Sequence, residues 1–318
     1  RVGSVAPIAP PEDPDSGNRV GGQSLAEIDR AQASVAPTIE EAYDLATRRS
    51  PKTARSSNRV LILFSGAYER PDGIQAFLKR YGMEAVMIDN DPRRGDPHHD
   101  IMNDSFFRDL LDRARSGEFR AILAAPPCST FSISRFFRRD GAPVPIRDRD
   151  HIYGLPDLSA SQRAEVNLAT AIAIRTCLLL EAGHRAGSQY ILENPIDRGD
   201  RALLRAFLHE SHGSLWQLPE VADFLRRSGG RTVHFSQCRL GAKTQKRTTL
   251  AYSSGFDAWL DPLSDLECNH QTHERMAGGE YDPDTGWNSS ETAAYPAEMN
   301  LFLAQAIAAL RSRVPSEP

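Results

Sequence analysis

The fold prediction starts from one segment of the sequence, Ala124-Ala125-Pro126-Pro127-Cys128-Ser129-Thr130-Phe131-Ser132. It follows a short apolar run, 119–123, that is typical of a buried strand in a parallel sheet. Two prolines then end the strand and stiffen the turn. Because ligands bind outside the carboxyl ends of strands in open α/β sheets, Cys128 is expected to face such a crevice. A thiolate there would be a nucleophile, and a small buried cysteine is the plainer alternative.

Strand-like and helix-like segments alternate on both sides of this stretch. The predicted strands are 60–64, 85–88, 121–124, 189–192, 232–235 and 248–252. The predicted helices are 73–80, 105–116, 161–182, 201–209, 221–227 and 296–311, with Asp104 or Ser105 as the N-cap of the second. This alternation predicts an α/β fold with a Rossmann-like, doubly wound, mostly parallel sheet. Right-handed crossovers would then place the strand ends at one edge.

Composition narrows the function classes. The 318 residues carry a net charge of −4, which excludes a global basic field, so contact with nucleic acid would need a local patch. No apolar run is expected to span a membrane. Four widely spaced cysteines predict a reducing, intracellular setting, nuclear if the source is a eukaryote. A start at Arg1 instead of Met predicts a processed chain or a piece of a longer one.

Chemistry-bearing residues follow several of the predicted strands. Phe64-Ser65-Gly66 ends the first strand, and the glycine would let a ligand approach the backbone closely. Asp89 ends the second strand, where an acid commonly binds the ribose of an adenosine cofactor. Cys128 follows the third strand, and Glu193 ends a later one. The order glycine loop, acid, Pro-Pro-Cys, Glu-Asn is far more specific than any of its members.

In this order the chain resembles the cytosine-C5 DNA methyltransferases over roughly residues 58–312. Pro126-Pro127-Cys128 with Phe131-Ser132 is similar to their nucleophile motif, and Glu193-Asn194 to their Glu-Asn-Val motif. Gln245 and Arg247 resemble the start of their Gln-x-Arg-x-Arg motif, although Thr249 stands in place of the second arginine. The resemblance implies that S-adenosyl-L-methionine is the cofactor. The cofactor-binding residues it implies are Phe64, Ser65, Gly66, Asp89, Asp100, Ile101, Pro126 and Tyr295.

The resemblance also implies a mechanism. Carbon 5 of cytosine is too electron-poor to attack a methyl group until a thiolate adds at C6. Cys128 is the expected nucleophile, Glu193 the proton donor to N3, and Arg247 the cation that orients the base. Pro127, Asn194 and Gln245 are further expected substrate contacts. In duplex DNA the base would first leave the stack.

The segment after Cys128 is rich in arginine and phenylalanine. Arg135, Arg138 and Arg139 are expected to bind phosphate, and Phe136 and Phe137 to stack or wedge into a strand. Neighbouring aspartates make a solvated loop the alternative. Arg147 and Arg149 belong to the same basic segment.

The organisation predicted from these motifs has four parts. Residues 1–57 are a linker or disordered segment, 58–250 the catalytic domain, and 291–312 a helix that returns to it. The segment 251–290 is a small irregular insertion in place of a target-recognition domain. So short an insertion predicts low sequence specificity, or a single-stranded DNA or an RNA substrate.

Cys238, Cys268, His270 and His273 form a second candidate site. A Cys₂His₂ set suits structural zinc, which would brace the short insertion. The alternative is two loop histidines and two buried thiols. Cys177, by contrast, lies among apolar residues of a long helix and is expected in the core.

Three functions remain open at this level. The first is methyl transfer from S-adenosyl-L-methionine to cytosine C5 in DNA. The second keeps the fold and changes the substrate to RNA, whereas Ala125 before Pro126-Pro127 argues against an amine-methylating enzyme. The third is a degenerate methyltransferase-like domain that binds nucleic acid within a mobile-element or phage polyprotein.

Overall fold

The computed structural model describes residues 57–137, 141–274, 281–282, 286–287 and 294–310. The strands are β1 (Arg59–Leu63), β2 (Glu84–Ile88), β3 (Ala121–Ala124), β4 (Gln189–Pro195), β5 (Arg231–Ser236), β6 (Arg247–Tyr252), β7 (Tyr281–Asp282) and β8 (Gly286–Trp287). The helices are α1 (Ile74–Arg80), α2 (Asp104–Arg115), α3 (Ala160–Arg185), α4 (Pro219–Ser228), α5 (Asp257–Leu260) and α6 (Ala297–Ala308).

Six strands form one sheet in the order β2-β1-β3-β4-β6-β5. The first four are mutually parallel, and β6 runs antiparallel to both β4 and β5. All four residues of β3 are buried, as expected for a strand covered on both faces. β7 and β8 pair separately as a small antiparallel ladder. The predicted α/β fold with a Rossmann-like, mostly parallel sheet is confirmed.

The strand register places the predicted site residues at one edge. Leu63 pairs with Ile88 of β2 and with Ala124 of β3, and Ala124 pairs with Leu192 of β4. The residues that follow these four are therefore neighbours in a row across the carboxyl edge. This row holds Phe64, Asp89, Ala125 and Glu193.

Helices cover both faces of the sheet, so it is doubly wound. α1 packs against α6 over one face, where Val60, Ile62 and Leu123 join the apolar core. α3 packs against α2 and α4 over the other face and also contacts β3 and β4. Alternate strand residues therefore contribute to different layers.

α3 differs from one expectation, which concerns membrane spans. A capping box begins it, in which Ser159 Oγ accepts from the Gln162 N–H and Gln162 Oε1 accepts from the Ser159 N–H. It runs 26 residues, and by length and composition alone it would qualify as a membrane span. The sequence expectation that no segment qualifies is corrected here. Of the apolar window that passes this test, 61% is nevertheless buried within the fold, and Cys177 lies in the core as predicted.

Two local predictions are wrong. The N-cap of α2 is Asn103, whose side chain accepts from the N–H groups of Ser105 and Phe106. Residues 201–209 form a series of turns instead of a helix. The Asp200 carboxylate accepts from the Ala202 N–H, and the Arg198 carbonyl accepts from Leu208 at 2.7 Å, so local bonds replace helical ones.

Candidate active site

Cys128 lies directly beyond the carboxyl end of β3. Its carbonyl accepts from the Phe131 N–H at 2.9 Å, which closes a short 3₁₀ turn, Ser129–Phe131. The Cys128 side chain is half-buried. Pro126 is buried, and its carbonyl accepts from Asn194 Nδ2 at 3.0 Å. This bond ties the end of β3 to the end of β4, and so fixes the Pro-Pro-Cys turn beside Glu193.

Glu193 is a buried acid with incomplete hydrogen bonding. Only 4% of the residue is exposed, and Lys246 Nζ lies 3.5 Å from its Oε1. Neither Glu193 Oε1 nor Asn194 Oδ1 has a hydrogen-bond partner among the residues that the structure describes. Buried oxygen atoms are rarely left so, and a bound ligand is one common reason.

Tyr295 and Lys246 complete this group, which we call the Cys128 cluster: Cys128, Glu193, Lys246 and Tyr295. Lys246 Nζ lies 5.6 Å from the centre of the Tyr295 ring. The buried Tyr295 hydroxyl makes no hydrogen bond within the described part of the chain. Burial, and then the charge of Glu193, raise the pKa of Tyr295 well above its usual value, so the hydroxyl stays protonated and can donate.

The cluster sets the protonation of Cys128. Burial raises the pKa of its thiol, the charge of Lys246 lowers it, and the charge of Glu193 raises it again. The net effect is a raised pKa, so the thiol is protonated near neutral pH. A thiolate would form most readily when Glu193 is neutral and Lys246 is charged.

The loop after β1 has an unusual backbone. Phe64 has a φ of 59° and Gly66 a φ of 70°, and for phenylalanine that left-handed conformation is strained. The Ser65 N–H donates to the Ile88 carbonyl at 3.1 Å, and the Gly66 N–H donates to Asp89 Oδ2 at 2.8 Å. No atom lies within 4 Å of the position that a Gly66 Cβ would occupy. A ligand can therefore approach this backbone closely, which fits an adenosine-type cofactor.

Asp89 also caps backbone N–H groups, a role that acids at strand ends often have. Its Oδ1 accepts from the Asp91 N–H at 2.9 Å while Oδ2 holds Gly66. Each carboxylate oxygen keeps a second lone pair for a ribose hydroxyl. Asp100 likewise accepts from the Met102 N–H at 2.8 Å, and Ile101 is buried with its carbonyl bonded to Arg175. These residues shape the loops along the sheet edge.

The described arginines after Cys128 are paired within the protein. Arg135 donates to the Ser129 carbonyl at 2.7 Å and pairs with Glu165. Arg147 is buried with its guanidinium 3.9 Å from the centre of the Phe131 ring, and Arg149 pairs with Asp197 at 2.8 Å. The Arg135 charge thus stabilises the loop itself, and its binding of phosphate stays a prediction. Arg138 and Arg139 lie outside the described residues.

His212 also contacts the loop that follows Cys128. Its Nδ1 accepts from the Arg198 N–H at 3.0 Å, and its Nε2 faces the Phe131 carbonyl at 2.9 Å. This pairing requires the neutral tautomer with the proton on Nε2. Phe136 packs on the His209 ring with centroids 4.7 Å apart, so it is already covered by protein. Phe137 remains 45% exposed.

Arg247 and Gln245 lie away from the Cys128 cluster. Arg247 lines a cleft of about 560 Å³ that it shares with His234 and the 202–206 turns, and neither Cys128 nor Glu193 lines this cleft. Arg247 also acts on Arg198, because burial and then the charge of Arg247 lower the pKa of Arg198. Gln245 acts on the second candidate site. Burial raises the pKa of the Cys268 thiol there, but hydrogen bonds from groups that include His270 and Gln245 lower it to about 6. The cation that contacts Glu193 is therefore Lys246 and not Arg247.

The alternation of side chains along a strand predicts that Lys246, and not Arg247, lies on the same face as Glu193. Glu193 pairs with Leu250 across the antiparallel β4–β6 ladder, so their side chains share a face. Thr248 and Lys246 are two and four residues before Leu250 and belong to the same face. Arg247 and Thr249 belong to the opposite face. The register of β6 against β4 is needed before this rule can be applied.

The second candidate site is assembled in space. One ligand atom from each of Cys238, Cys268, His270 and His273 lies within 4.8 Å of all the others. Cys238 comes from the 3₁₀ turn Gln237–Leu240 after β5, and the other three come from the loop that follows residue 265.

Comparison with protein-family models gives no match, and neither does comparison with curated protein sequences. Among solved structures, the chain is similar to the Dnmt2 methyltransferase of S. pombe, with 12% identity, a TM-score of 0.31, and coverage of 61% of this chain and 48% of the other. A mutant of DNMT2 from Spodoptera frugiperda shows 12% identity, a TM-score of 0.29, and coverage of 69% and 54% respectively. The chain thus spans about half the length of these two proteins. Similarity at this level defines no family.

Proposed function

We propose that this chain is an S-adenosyl-L-methionine-dependent methyltransferase that acts on carbon 5 of cytosine in nucleic acid, through a covalent adduct with Cys128. One observation carries the proposal. A thiol, a buried carboxyl group, an ammonium group and a tyrosine hydroxyl meet at the carboxyl edge of the sheet, and buried oxygen atoms of Glu193, Asn194 and Tyr295 there lack hydrogen bonds within the described chain. A pyrimidine offers both donors and acceptors to such atoms.

Each residue of the cluster has a role in this chemistry. The Cys128 thiol gives its proton to solvent water and the resulting thiolate bonds to C6, while protonated Glu193 donates to N3, so the ring becomes an enamine that is nucleophilic at C5. Lys246 stabilises the thiolate and then the carboxylate that Glu193 becomes. Asn194 Oδ1 would accept from the exocyclic amine of the base. Once C5 carries the methyl group, its proton passes to solvent water, the carbon–sulfur bond breaks and releases the thiolate, and N3 returns its proton to Glu193.

The cofactor belongs at the loop after β1. Gly66, Ser65 and Phe64 would hold it together with Asp89 and Asp100, and the open space above Gly66 supports this assignment. When bound, S-adenosyl-L-methionine supplies an electrophilic methyl group to C5. We assign the catalytic domain to 58–250 and its returning helix to 291–312, and the short 251–290 segment favours low sequence specificity.

A catalytically inactive nucleic-acid-binding domain is the second candidate. It is favoured by the raised pKa of the Cys128 thiol, which keeps the nucleophile protonated near neutral pH. Such a domain would bind an oligonucleotide without forming a bond to it.

Trapping with 5-fluorocytosine tests the proposal. With S-adenosyl-L-methionine present, single-stranded DNA, duplex DNA and RNA oligonucleotides that contain this base are each incubated with the full chain. We expect at least one to form an adduct that survives denaturing electrophoresis. Cys128→Ala should abolish it, whereas Cys177→Ala, a matched change in the core, should retain it. Binding of all oligonucleotides without any adduct would favour the inactive domain, and an adduct in Cys128→Ala would refute the mechanism.

A further inference from the structure

We infer that Cys238, Cys268, His270 and His273 bind a structural zinc ion. The two cysteines are 30 positions apart in the chain, yet their sulfur atoms and the two imidazole nitrogens converge within 4.8 Å. The other two cysteines, Cys128 and Cys177, lie in different parts of the fold. Convergence of two thiols and two imidazoles from separate segments is uncommon without a ligand to hold them.

The distances suit a tetrahedral zinc ion. Zinc–sulfur and zinc–nitrogen bonds of about 2.3 and 2.0 Å place a sulfur and a nitrogen ligand roughly 3.5 Å apart in a tetrahedron. Cys268 Sγ lies 3.6 Å from His270 Nδ1 and 3.2 Å from His273 Nε2. Thiolate and imidazole ligands favour zinc over magnesium or calcium, which take oxygen ligands.

The ligand set is closed, which is typical of a structural ion. Four protein ligands complete a tetrahedron and leave no position for water or substrate. No residue is shared between this site and the Cys128 cluster. Zinc here would therefore stabilise the fold and take no direct part in methyl transfer.

The segments that it would join are already in contact. The Ser236 N–H donates to the Leu266 carbonyl at 3.1 Å, Arg239 donates to Asn269 Oδ1 at 2.6 Å, and Lys243 pairs with Glu274 at 2.8 Å. We call residues 266–274 the strap. Two of the three bonds involve exposed side chains, which contribute little on their own. A metal at the centre would supply most of the stability of this attachment.

The ion would also stabilise the position of Lys246. Cys238 follows Gln237, whose N–H donates to the Lys246 carbonyl at 3.1 Å and whose side chain donates to Thr248 at 2.9 Å. Zinc at Cys238 therefore fixes the base of the 237–246 loop, at the point where Lys246 turns towards Glu193.

Metal analysis of the full chain, purified without chelator, tests this inference. We expect one zinc ion per chain in the wild type and in the matched control Cys177→Ser. Cys268→Ser and His273→Ala should each lose most of it. A second measurement does not depend on the folding of variants: in the wild type, the thiols of Cys238 and Cys268 should resist an aromatic disulfide reagent until a chelator releases the metal.

Three results would overturn the inference. They are an absence of zinc in the wild type after growth with added zinc, zinc that Cys268→Ser fails to remove, and a disulfide between Cys238 and Cys268 in freshly purified protein. Each readout is independent of methyl transfer, so an inactive chain that holds zinc would refute the proposed function and leave this site intact.

Discussion

At the scale of single residues, the protonation of the Cys128 thiol depends on the charge of Glu193. A charged Glu193 raises the pKa of the Cys128 thiol, and burial raises it further, so the thiolate forms poorly in the resting protein. Lys246 opposes both effects. In the proposed mechanism, proton donation at N3 requires a neutral Glu193, which is the state that also favours the thiolate. The reactive form that this mechanism implies is a thiolate, an ammonium and a neutral carboxyl group.

Lys246→Met tests the cation of this group. Removing the charge should raise the pKa of Cys128 further, because Lys246 is the neighbouring group that lowers it. Adduct formation with 5-fluorocytosine at neutral pH should slow by about tenfold for each unit of pKa increase, and its pH profile should move to higher pH. Lys243→Met is the matched control, since Lys243 is exposed and pairs with Glu274. An unchanged profile would show that Lys246 does not act on the thiol.

Glu193→Gln should slow adduct formation and yet make the Cys128 thiol more reactive towards a simple alkylating reagent. It keeps the size of the side chain and removes the proton donor, so adduct formation should fall by about 10²–10⁴. The same change removes the charge that raises the pKa of Cys128. Alkylation of Cys128 by iodoacetamide, followed by mass spectrometry, should therefore become faster at a given pH. Slower alkylation would point to a disrupted site and contradict the assigned role of Glu193.

At the scale of elements, strands were predicted better than the residues that face the site. β1 and β3 can be predicted from the sequence because strands that are buried on both faces have almost continuous apolar runs. The turns at 201–209 were misread because the bonds to Asp200 and Arg198 compete with a helix that the pattern favours. Lys246 was missed because motif spacing draws attention to Gln245 and Arg247. Only the pairing of Glu193 with Leu250 reveals which face of β6 meets the site.

The loop between β2 and α2 offers a test at this scale. A Cβ on Gly95 would lie 2.0 Å from the Asp89 carbonyl oxygen, so Gly95→Ala should push the loop away from Asp89 and release Gly66. We expect the affinity for S-adenosylhomocysteine, measured by calorimetry, to fall by about tenfold or more, on the order of 1.4 kcal/mol.

Gly82→Ala serves as the control for this change. Gly82 has a φ of 70° with no atom near its Cβ position, so alanine there should lower the free energy of unfolding by about 1 kcal/mol without affecting the ligand. Equal affinities in wild type and Gly95→Ala would mean that the Asp89 loop is not part of a cofactor site.

At the scale of the whole molecule, the sheet determines where chemistry can occur. Parallel β1 to β4 bring residues that are over a hundred positions apart to one edge, which the sequence pattern foresaw from strand order alone. Pairing between distant loops could not be foreseen in that way. Arg135 and Glu165, or Arg149 and Asp197, meet only after the fold is complete, so two of the charges in this basic segment are paired within the protein.

Charge at this scale predicts how the chain would bind nucleic acid. The net charge is −4, and Arg149, like Arg135 and Arg147, is engaged within the protein. Sequence position leaves Arg138 and Arg139 as the expected phosphate ligands of this segment.

Binding of a single-stranded oligonucleotide, followed by fluorescence anisotropy over a series of salt concentrations, reports the number of phosphates that the protein neutralises. Arg138→Ala with Arg139→Ala should reduce the slope of log affinity against log salt by about two, roughly one for each phosphate that is no longer bound. Arg149→Ala should lower the free energy of unfolding and leave the slope unchanged, because its partner is Asp197. A slope that falls equally in Arg149→Ala would show that this ion pair opens to bind phosphate, and the substrate surface would then extend along the whole basic segment.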